Sequence, residues 1–436
     1  MTNKSLNEWL DYVERLHAKP IELGLERVNR VKDHLGLKFA GPIVTVGGTN
    51  GKGSVCAMLE AILQAAGCRT GVYTSPHLLA YNERIKVDGV NVDDARLAEA
   101  FARVEAARGE VTLTYFEFGT LVAWEVFATA NLDVLVLEVG LGGRLDAVNI
   151  FDADCAIVTS IGIDHVDFLG PTRESIGFEK AGIFRPGRAA ICGDPSPPET
   201  LLGHARNIGA NLEVLGRDFG YEGGKQQWRF WRMPVRATGG DSNVATQPLQ
   251  SKPGLAPPAL RGARQLANAS CVLAALDSIR EVIPVSMQAI REGLSRVELP
   301  GRFQVMPGVP CVVVDVAHNP HAAAVLAQNL ADQGFFPNTR AVIGMLSDKD
   351  IEGVCQALTG KIDEWHAADL SGPRAASAGQ LAVAIENSAA GGTIFQYSSP
   401  LAAYQSARER SNDNDRIVLF GSFLTVASFL SAKSSH

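Results

Sequence analysis

The sequence predicts an α/β protein with two parts: a doubly wound, mainly parallel sheet domain carrying a phosphate-binding loop, and a smaller Rossmann-like α/β domain at the C-terminal end. Three observations predict it. An apolar run, Pro42 to Val46, ends in the glycine-rich turn Gly47-Gly48-Thr49-Asn50-Gly51-Lys52-Gly53-Ser54 and opens directly into the helical pattern Val55 to Ala66. Short apolar strands then alternate with helical stretches through Ile183. After the punctuation Val297-Glu298-Leu299-Pro300-Gly301-Arg302-Phe303, a second alternation begins.

Composition limits the reading. A chain of 436 residues exceeds one ordinary core, which predicts two domains, placed at 1–297 and 298–436. With 46% hydrophobic and 20% charged residues it reads as a globular protein, and a net charge of −7 argues against nucleic acid or an anionic membrane as partner. The seven cysteines are odd in number and scattered through apolar runs without C-x-x-C, as reduced buried thiols would be. The first residues have no apolar signal-like core, and no segment approaches membrane-spanning length, so the expected location is the cytoplasm.

The elements follow in order. Leu6, Trp9, Leu10, Val13 and Leu16 recur at helical spacing. A second helical pattern runs from Ile21 to Leu35, with Gly24 as either a helix boundary or a point of close approach, the boundary being the commoner case. The phosphate loop comes next. Its glycines let backbone N–H groups close around an anion, and Lys52 adds a cation. Gly67 caps the helix, and the strand Arg69 to Thr74 ends at Ser75-Pro76-His77-Leu78, where the ligands of parallel sheets gather. The segment from Asn82 to Val92 reads as a hairpin or loop, and Asp93 to Arg108 as an amphipathic helix. Thr112 to Gly119 leads into a helix through Ala130. The strand Asp133 to Val139 is apolar up to one carboxylate, Glu138, which is either a Mg²⁺ holder beside the phosphate loop or a cap for the next turn. Another apolar strand, Cys155 to Ser160, leads to Asp164-His165, and Lys180 lies on a helix from Glu174 to Ile183. Read alone, Lys180 is a solvated helix residue, and His165 a lone histidine of the structural kind. Right-handed crossovers bring 47–54, 75, 138 and 165 to one sheet edge.

From Gly216 to Arg261 the pattern changes to alternating and proline-bearing segments, predicting antiparallel strands and loops without chemistry. The helix Arg264 to Arg280 carries Asn268. In the second alternation the strand Cys311 to Val316 precedes Ala317-His318-Asn319-Pro320, Ala341 to Leu346 precedes Ser347-Asp348-Lys349-Asp350, and Arg416 to Phe420 precedes Gly421-Ser422. Their ends are expected to face a cleft between the domains.

The loop departs from G-x-x-x-x-G-K-[ST]: Val46 stands at the first glycine position, and Gly53 separates Lys52 from Ser54. In this form it resembles the ATP loop of the Mur ligase superfamily. Across nearly the whole chain GTNGKGS (48–54), SPHL (75–78), NERI (82–85), TYFEFGTL (114–121), EVGLGGRLDA (138–147), TSIGIDHVDFLG (159–170), EKAGI (179–183), LPGRFQ (299–304), DVAHNPH (315–321) and GMLSDKD (344–350) are similar to folylpolyglutamate synthases, most of all to the bacterial bifunctional form that is also dihydrofolate synthase.

That resemblance implies an ATP-dependent ligase adding L-glutamate to dihydropteroate and to reduced folates through an acyl phosphate, as a cytoplasmic monomer. It implies that Thr49, Asn50, Gly51, Lys52, Gly53 and Ser54 hold the ATP phosphates, with Asn268, Arg302 and Asp315 completing the nucleotide site. Ser75, Glu138 and His165 would bind one Mg²⁺. Lys180, carbamylated by CO₂, would help hold a second, and a monovalent cation is a further expected cofactor. The pterin would lie against Glu22, Leu23, Gly24 and Leu25, against Thr114, Tyr115, Phe116 and Glu117, and against Leu145, Asp146 and Ala147. Lys52, Lys180 and His318 are the expected catalytic residues, while His318 and Ser422 are the candidates for the incoming glutamate. The rivals are a folylpolyglutamate synthase without the dihydropteroate activity, a cell-wall Mur ligase, a P-loop ATPase or switch, and a nucleotide-binding module without chemistry.

Overall fold

A computed structural model describes residues 4–224, 226–233 and 250–434 of the chain. They form two compact units: the described residues of Met1–Ala259 with Leu266–Val297, and Leu260–Gln265 with the described residues of Glu298–His436.

In the first unit, eight strands among the described residues make one sheet: β1 (Ile43–Gly47), β2 (Thr70–Tyr73), β3 (Ile85–Val87), β4 (Val90–Asn91), β5 (Val134–Glu138), β6 (Cys155–Val158), β7 (Ala189–Cys192) and β8 (Asn211–Val214). Their order is β4-β3-β2-β5-β1-β6-β7-β8. The strands from β2 to β8 in that order run parallel, and the β3–β4 hairpin closes one edge antiparallel. The central strands β1, β5 and β6 are buried along their whole length, which is why they read as uninterrupted apolar runs. From β1 the chain moves past β5 to β2, and from β5 it crosses over β1 to β6. The carboxyl ends of β2, β5, β1 and β6 therefore emerge side by side.

Helices α1 (Leu6–Glu14), α2 (Glu26–Leu35), α3 (Lys52–Ala65), α4 (Asp94–Arg108) and α5 (Tyr115–Ala128) precede the short α6 (Val166–Leu169) and α7 (Arg173–Ala181). Helix α2 starts only after Gly24, so the boundary reading of that glycine holds and Ile21–Leu25 lies outside the helix. One apolar cluster packs α1, α2, α4 and α5 through Trp9, Val28, Phe101, Phe118 and Trp124. Three further strands, Phe219–Gly223, Trp228–Arg232 and Gln250–Leu255, form the antiparallel sheet expected of the changed segment. Much of the polar stretch from Thr238 lies outside the described residues.

The second unit holds a six-stranded sheet in which Gln304–Met306 pairs antiparallel with Cys311–Val314. The parallel strands Arg416–Phe420, Thr339–Ile343, Glu364–Ala368 and Thr393–Tyr397 follow. Leu260–Gln265 belongs to this unit, fastened by the Ala263 N–H to Asn329 Oδ1 at 2.7 Å, where a single cut at 297 assigns it to the first.

Candidate active site

The phosphate loop leaves β1 and is stitched to the segment after β6. Thr49 N donates to Ser160 O (2.8 Å), and Thr49 Oγ1 donates to Gly162 O (3.1 Å) while accepting from Gly162 N (3.0 Å). Asn50 N donates to Ser160 Oγ, which donates back to Asn50 O; Thr159 Oγ1 donates to the same carbonyl at 2.7 Å. The closeness needs glycine. A Cβ on Gly48, at φ +138°, would lie well inside van der Waals contact of Thr159 Oγ1 and 2.9 Å from Thr159 N. Gly51, at φ +93°, caps α3, and a Cβ there would stand 2.9 Å from Asn268 Oδ1. Asn268, buried on the helix Gln265–Ser278, is thereby brought against the loop. The Lys52 ammonium lies over the loop, donating to Gly48 O (3.1 Å) and Thr49 O (3.4 Å). A helix N-terminus, a lysine and a backbone this closely drawn in form an anion cradle.

Glu138 ends β5 in register with Val46 of β1 and is 3% exposed. Its Oε2 accepts from Ser75 N at 3.0 Å, so the carboxylate and the Ser75 segment meet beside the loop. His165 starts α6 in the left-handed region (φ +52°), its ring more than a third exposed and its N–H donating to Asp164 Oδ1. Among the described residues no three His, Cys, Asp or Glu side chains form a metal cage. The contacts seen here bring Glu138 and the Ser75 backbone together; a hydroxyl, a carboxylate and an imidazole are the kind of sparse donor set that suits Mg²⁺, which keeps waters and phosphate oxygens as its other ligands.

Lys180 is the clearest departure from the residue-by-residue reading. It is not solvated but 4% exposed. The last turn of α7 packs directly on Gly143, where a Cβ would meet Glu179 O at 2.7 Å and Lys180 O at 3.0 Å. Burial, reinforced by the Lys52 charge, brings the Lys180 amine down to about 7 against the opposing pull of Asp164 and Asp146. Burial also raises Asp146 to about 6, although its oxygens accept from Leu141 N (2.8 Å) and Val148 N (3.0 Å).

Of the pterin candidates, Thr114 and Glu117 make a capping box at the start of α5, and Phe116 lies over Gly140 and beside Tyr73. Glu22 and Glu117 converge through one residue the sequence reading missed, Arg27. Leu23, Gly24 and Leu25 lie in the irregular link before α2, Leu145 in the turn after β5, and Ala147 is buried at the start of a short 3₁₀ turn. Arg84 was also passed over. Its guanidinium lies 5.5 Å from the ring centres of Tyr81 and Tyr115, and its Nε donates to His77 Nδ1 (2.8 Å). Thr159 and Ser160 carried a readable signal: two hydroxyl residues directly after a central apolar strand.

In the second unit Asp315 is half-buried and accepts from Phe303 N (2.8 Å) and Ala317 N (2.7 Å); desolvation raises its carboxyl, against the Arg302 charge. The Arg302 guanidinium lies 5.1 Å from the Phe423 ring centre. His318 Nδ1 donates to Val316 O at 2.8 Å, which makes Nε2 the basic nitrogen. Ser422 is buried, and its hydroxyl is turned to Thr425 N (3.0 Å) and Thr425 Oγ1 (2.9 Å), a capping role at its own helix start.

Two family models match the chain: the Mur ligase middle domain over residues 46–276, and the glutamate ligase domain of Mur ligases over 301–423. The dihydrofolate synthase/folylpolyglutamate synthase of Escherichia coli is 45% identical over 423 residues, covering 97% of this chain and 94% of that one. The enzyme of the same name from Haemophilus influenzae is 41% identical over 443 residues, covering 97% and 96%. Among solved structures, Escherichia coli FolC in complex with DHPP and ADP superposes with a TM-score of 0.90 at 44% identity, covering 99% of this chain and 98% of that one. The Yersinia pestis bifunctional folylpolyglutamate synthase/dihydrofolate synthase complexed with AMPPNP and Mn ion gives 0.88 at 46%, with the same coverage.

Proposed function

The chain belongs to the Mur ligase family, on its dihydrofolate synthase/folylpolyglutamate synthase branch, and from that premise we propose how its own residues carry out the joining of L-glutamate to a pterin-bearing acid with ATP. It is an ATP-dependent acid–amino-acid ligase, acting on dihydropteroate and on folylpolyglutamates. The observation that carries the mechanism is the junction of the Lys52 loop with Ser75 and Glu138 at adjacent strand ends.

A carboxylate resists attack by an amine until one of its oxygens becomes a leaving group. The γ-phosphoryl group of ATP is transferred to that oxygen and ADP leaves. The Gly51–Ser54 helix start and Lys52 hold the phosphates and take up the charge spreading over the transferred oxygens. Ser75, Glu138 and His165 would hold Mg²⁺, which when bound supplies further positive charge to those oxygens. The α-amino nitrogen of glutamate then attacks the acyl carbon, and phosphate departs with the oxygen. His318 Nε2 is suited to accept the proton the amine gives up.

Lys180 fits carbamylation because burial brings its amine down to about 7, so that a substantial neutral fraction exists at neutral pH, and only a neutral amine adds to CO₂. The product is an anion beside Lys52, replacing cation–cation repulsion by attraction. Asn268, Arg302 and Asp315 are assigned to the nucleotide, and Glu22–Leu25, Thr114–Glu117 and Leu145–Ala147 to the pterin. In this reading the enzyme is a cytoplasmic monomer with small-molecule substrates. No helix of the described residues is long and apolar enough to cross a membrane.

The test is ADP release with glutamate, dihydropteroate or a reduced folate, each left out in turn. Release that requires both the acid and glutamate supports the reading. Release indifferent to either rejects it in favour of a plain ATPase.

A further inference from the structure

Of the three segments assigned to the pterin, two differ in how firmly their backbone is held. Thr114–Glu117 is the capped first turn of α5, within the core of the first unit. Glu22–Leu25 belongs to the link from Arg15 to Leu25, which is neither helix nor strand, so no backbone ladder fixes where it lies. Arg27, in the first turn of α2, reaches both. Its Nη1 donates to Glu22 Oε2 (2.9 Å), and its Nη2 donates to Glu22 O (3.0 Å) and to Glu117 Oε1 (3.0 Å). Glu117 is buried, and its other oxygen accepts from Thr114 N at 2.8 Å. Glu22 also gathers His17 Nε2 (2.7 Å) and Lys19 Nζ (3.0 Å) from the same link.

This is not an ordinary surface ion pair, which contributes little. The guanidinium fork grips a side chain and a backbone carbonyl on one side and a buried carboxylate on the other. It does so while its own Nε is buried without a hydrogen-bond partner. A point-charge lysine cannot reproduce a two-sided grip of this shape.

Resting on the pterin reading above, we propose that Arg27 is the positioning residue of the acid-substrate site: it holds Glu22–Leu25 against the start of α5, so that these two parts of the pterin wall stand in place before substrate arrives. Binding to a preformed wall does not spend free energy on ordering the link.

The experiment compares Arg27→Met, Arg27→Lys, Arg27→Met/Glu117→Gln and, as a control on the opposite half of the wall, Phe116→Ala. Arg27→Met is expected to raise KM for dihydropteroate at least tenfold, leaving kcat and KM for ATP within about twofold. Arg27→Lys recovers part of the loss. The double variant, relieved of an unpaired buried carboxylate, regains the wild-type melting temperature but keeps the raised KM. An unchanged KM in Arg27→Met overturns the proposal, as does a KM restored along with the melting temperature in the double variant, since the role is then structural only. If Phe116→Ala raises KM while Arg27→Met does not, only the Arg27 assignment fails. If Phe116→Ala is without effect, the pterin wall itself is rejected and the proposal with it.

Discussion

Replacing Lys180 by Met is expected to make the protein more stable and inactive at once. The amine is displaced from its ordinary 10.5 to about 7 by burial and by the Lys52 charge. At about 1.4 kcal/mol per pH unit, that displacement bounds the cost to folding at about 5 kcal/mol. Relaxation around the amine in the folded state brings the expected gain for Lys180→Met to about 2–5 kcal/mol. The sign follows from the direction. The folded state holds the Lys180 proton less tightly than the unfolded state does, so wild-type stability rises with pH between 7 and 10.5. The cost is complete at and below pH 7 and vanishes as pH nears 10.5. The advantage of Lys180→Met should therefore shrink steadily over that interval. Urea unfolding followed by tryptophan fluorescence, in CO₂-free buffer with chelator, measures it. There the lysine is an amine, not a carbamate, and carries no metal. A variant less stable than wild type, or an advantage constant from pH 7 to 10, would refute the argument that a buried amine is kept for its chemistry.

Gly48→Ala puts a Cβ against Thr159 Oγ1 and the Thr159 N–H, at a φ that side chains avoid, and should weaken ATP binding at least tenfold by calorimetry; wild-type affinity would show that the close approach is dispensable. Asp146, raised to about 6 by burial, should impose an acid limb near pH 6 on kcat/KM for dihydropteroate, and Asp146→Asn should abolish that limb; a limb unchanged in the variant assigns it to another group. His366, fully buried between Tyr397 and Glu364, is lowered to about 4 by burial, so the unfolded state takes up a proton that the folded state refuses. Stability of the second unit should consequently fall as pH drops from 6.5 toward 4, by at most about 1.4 kcal/mol per pH unit, with a flatter profile in His366→Phe unfolding curves.

The sequence by itself determined the sheets and the loop. Runs such as Val134–Leu137 and Cys155–Val158 are apolar at every position because both sheet faces are covered, and that pattern needs no knowledge of neighbours. Glycines at 48 and 51 likewise announced a backbone turn of positive φ before a helix. Parallel strands joined by right-handed crossovers then put the ends of β1, β2, β5 and β6 on one edge. What only the tertiary structure decided is the environment of single polar side chains. Lys180 follows Glu179 in a helix of mixed polarity, and nothing local distinguishes it from a solvated residue. It is buried because Gly143, 37 positions earlier, lets α7 come within backbone contact. Arg27 joins Glu22 to a carboxylate 90 residues away, and Thr159 and Ser160 hold a loop about 110 residues before them. Periodicity records which face of an element is covered, not which distant group covers it, and the charge state of a buried amine depends on that group.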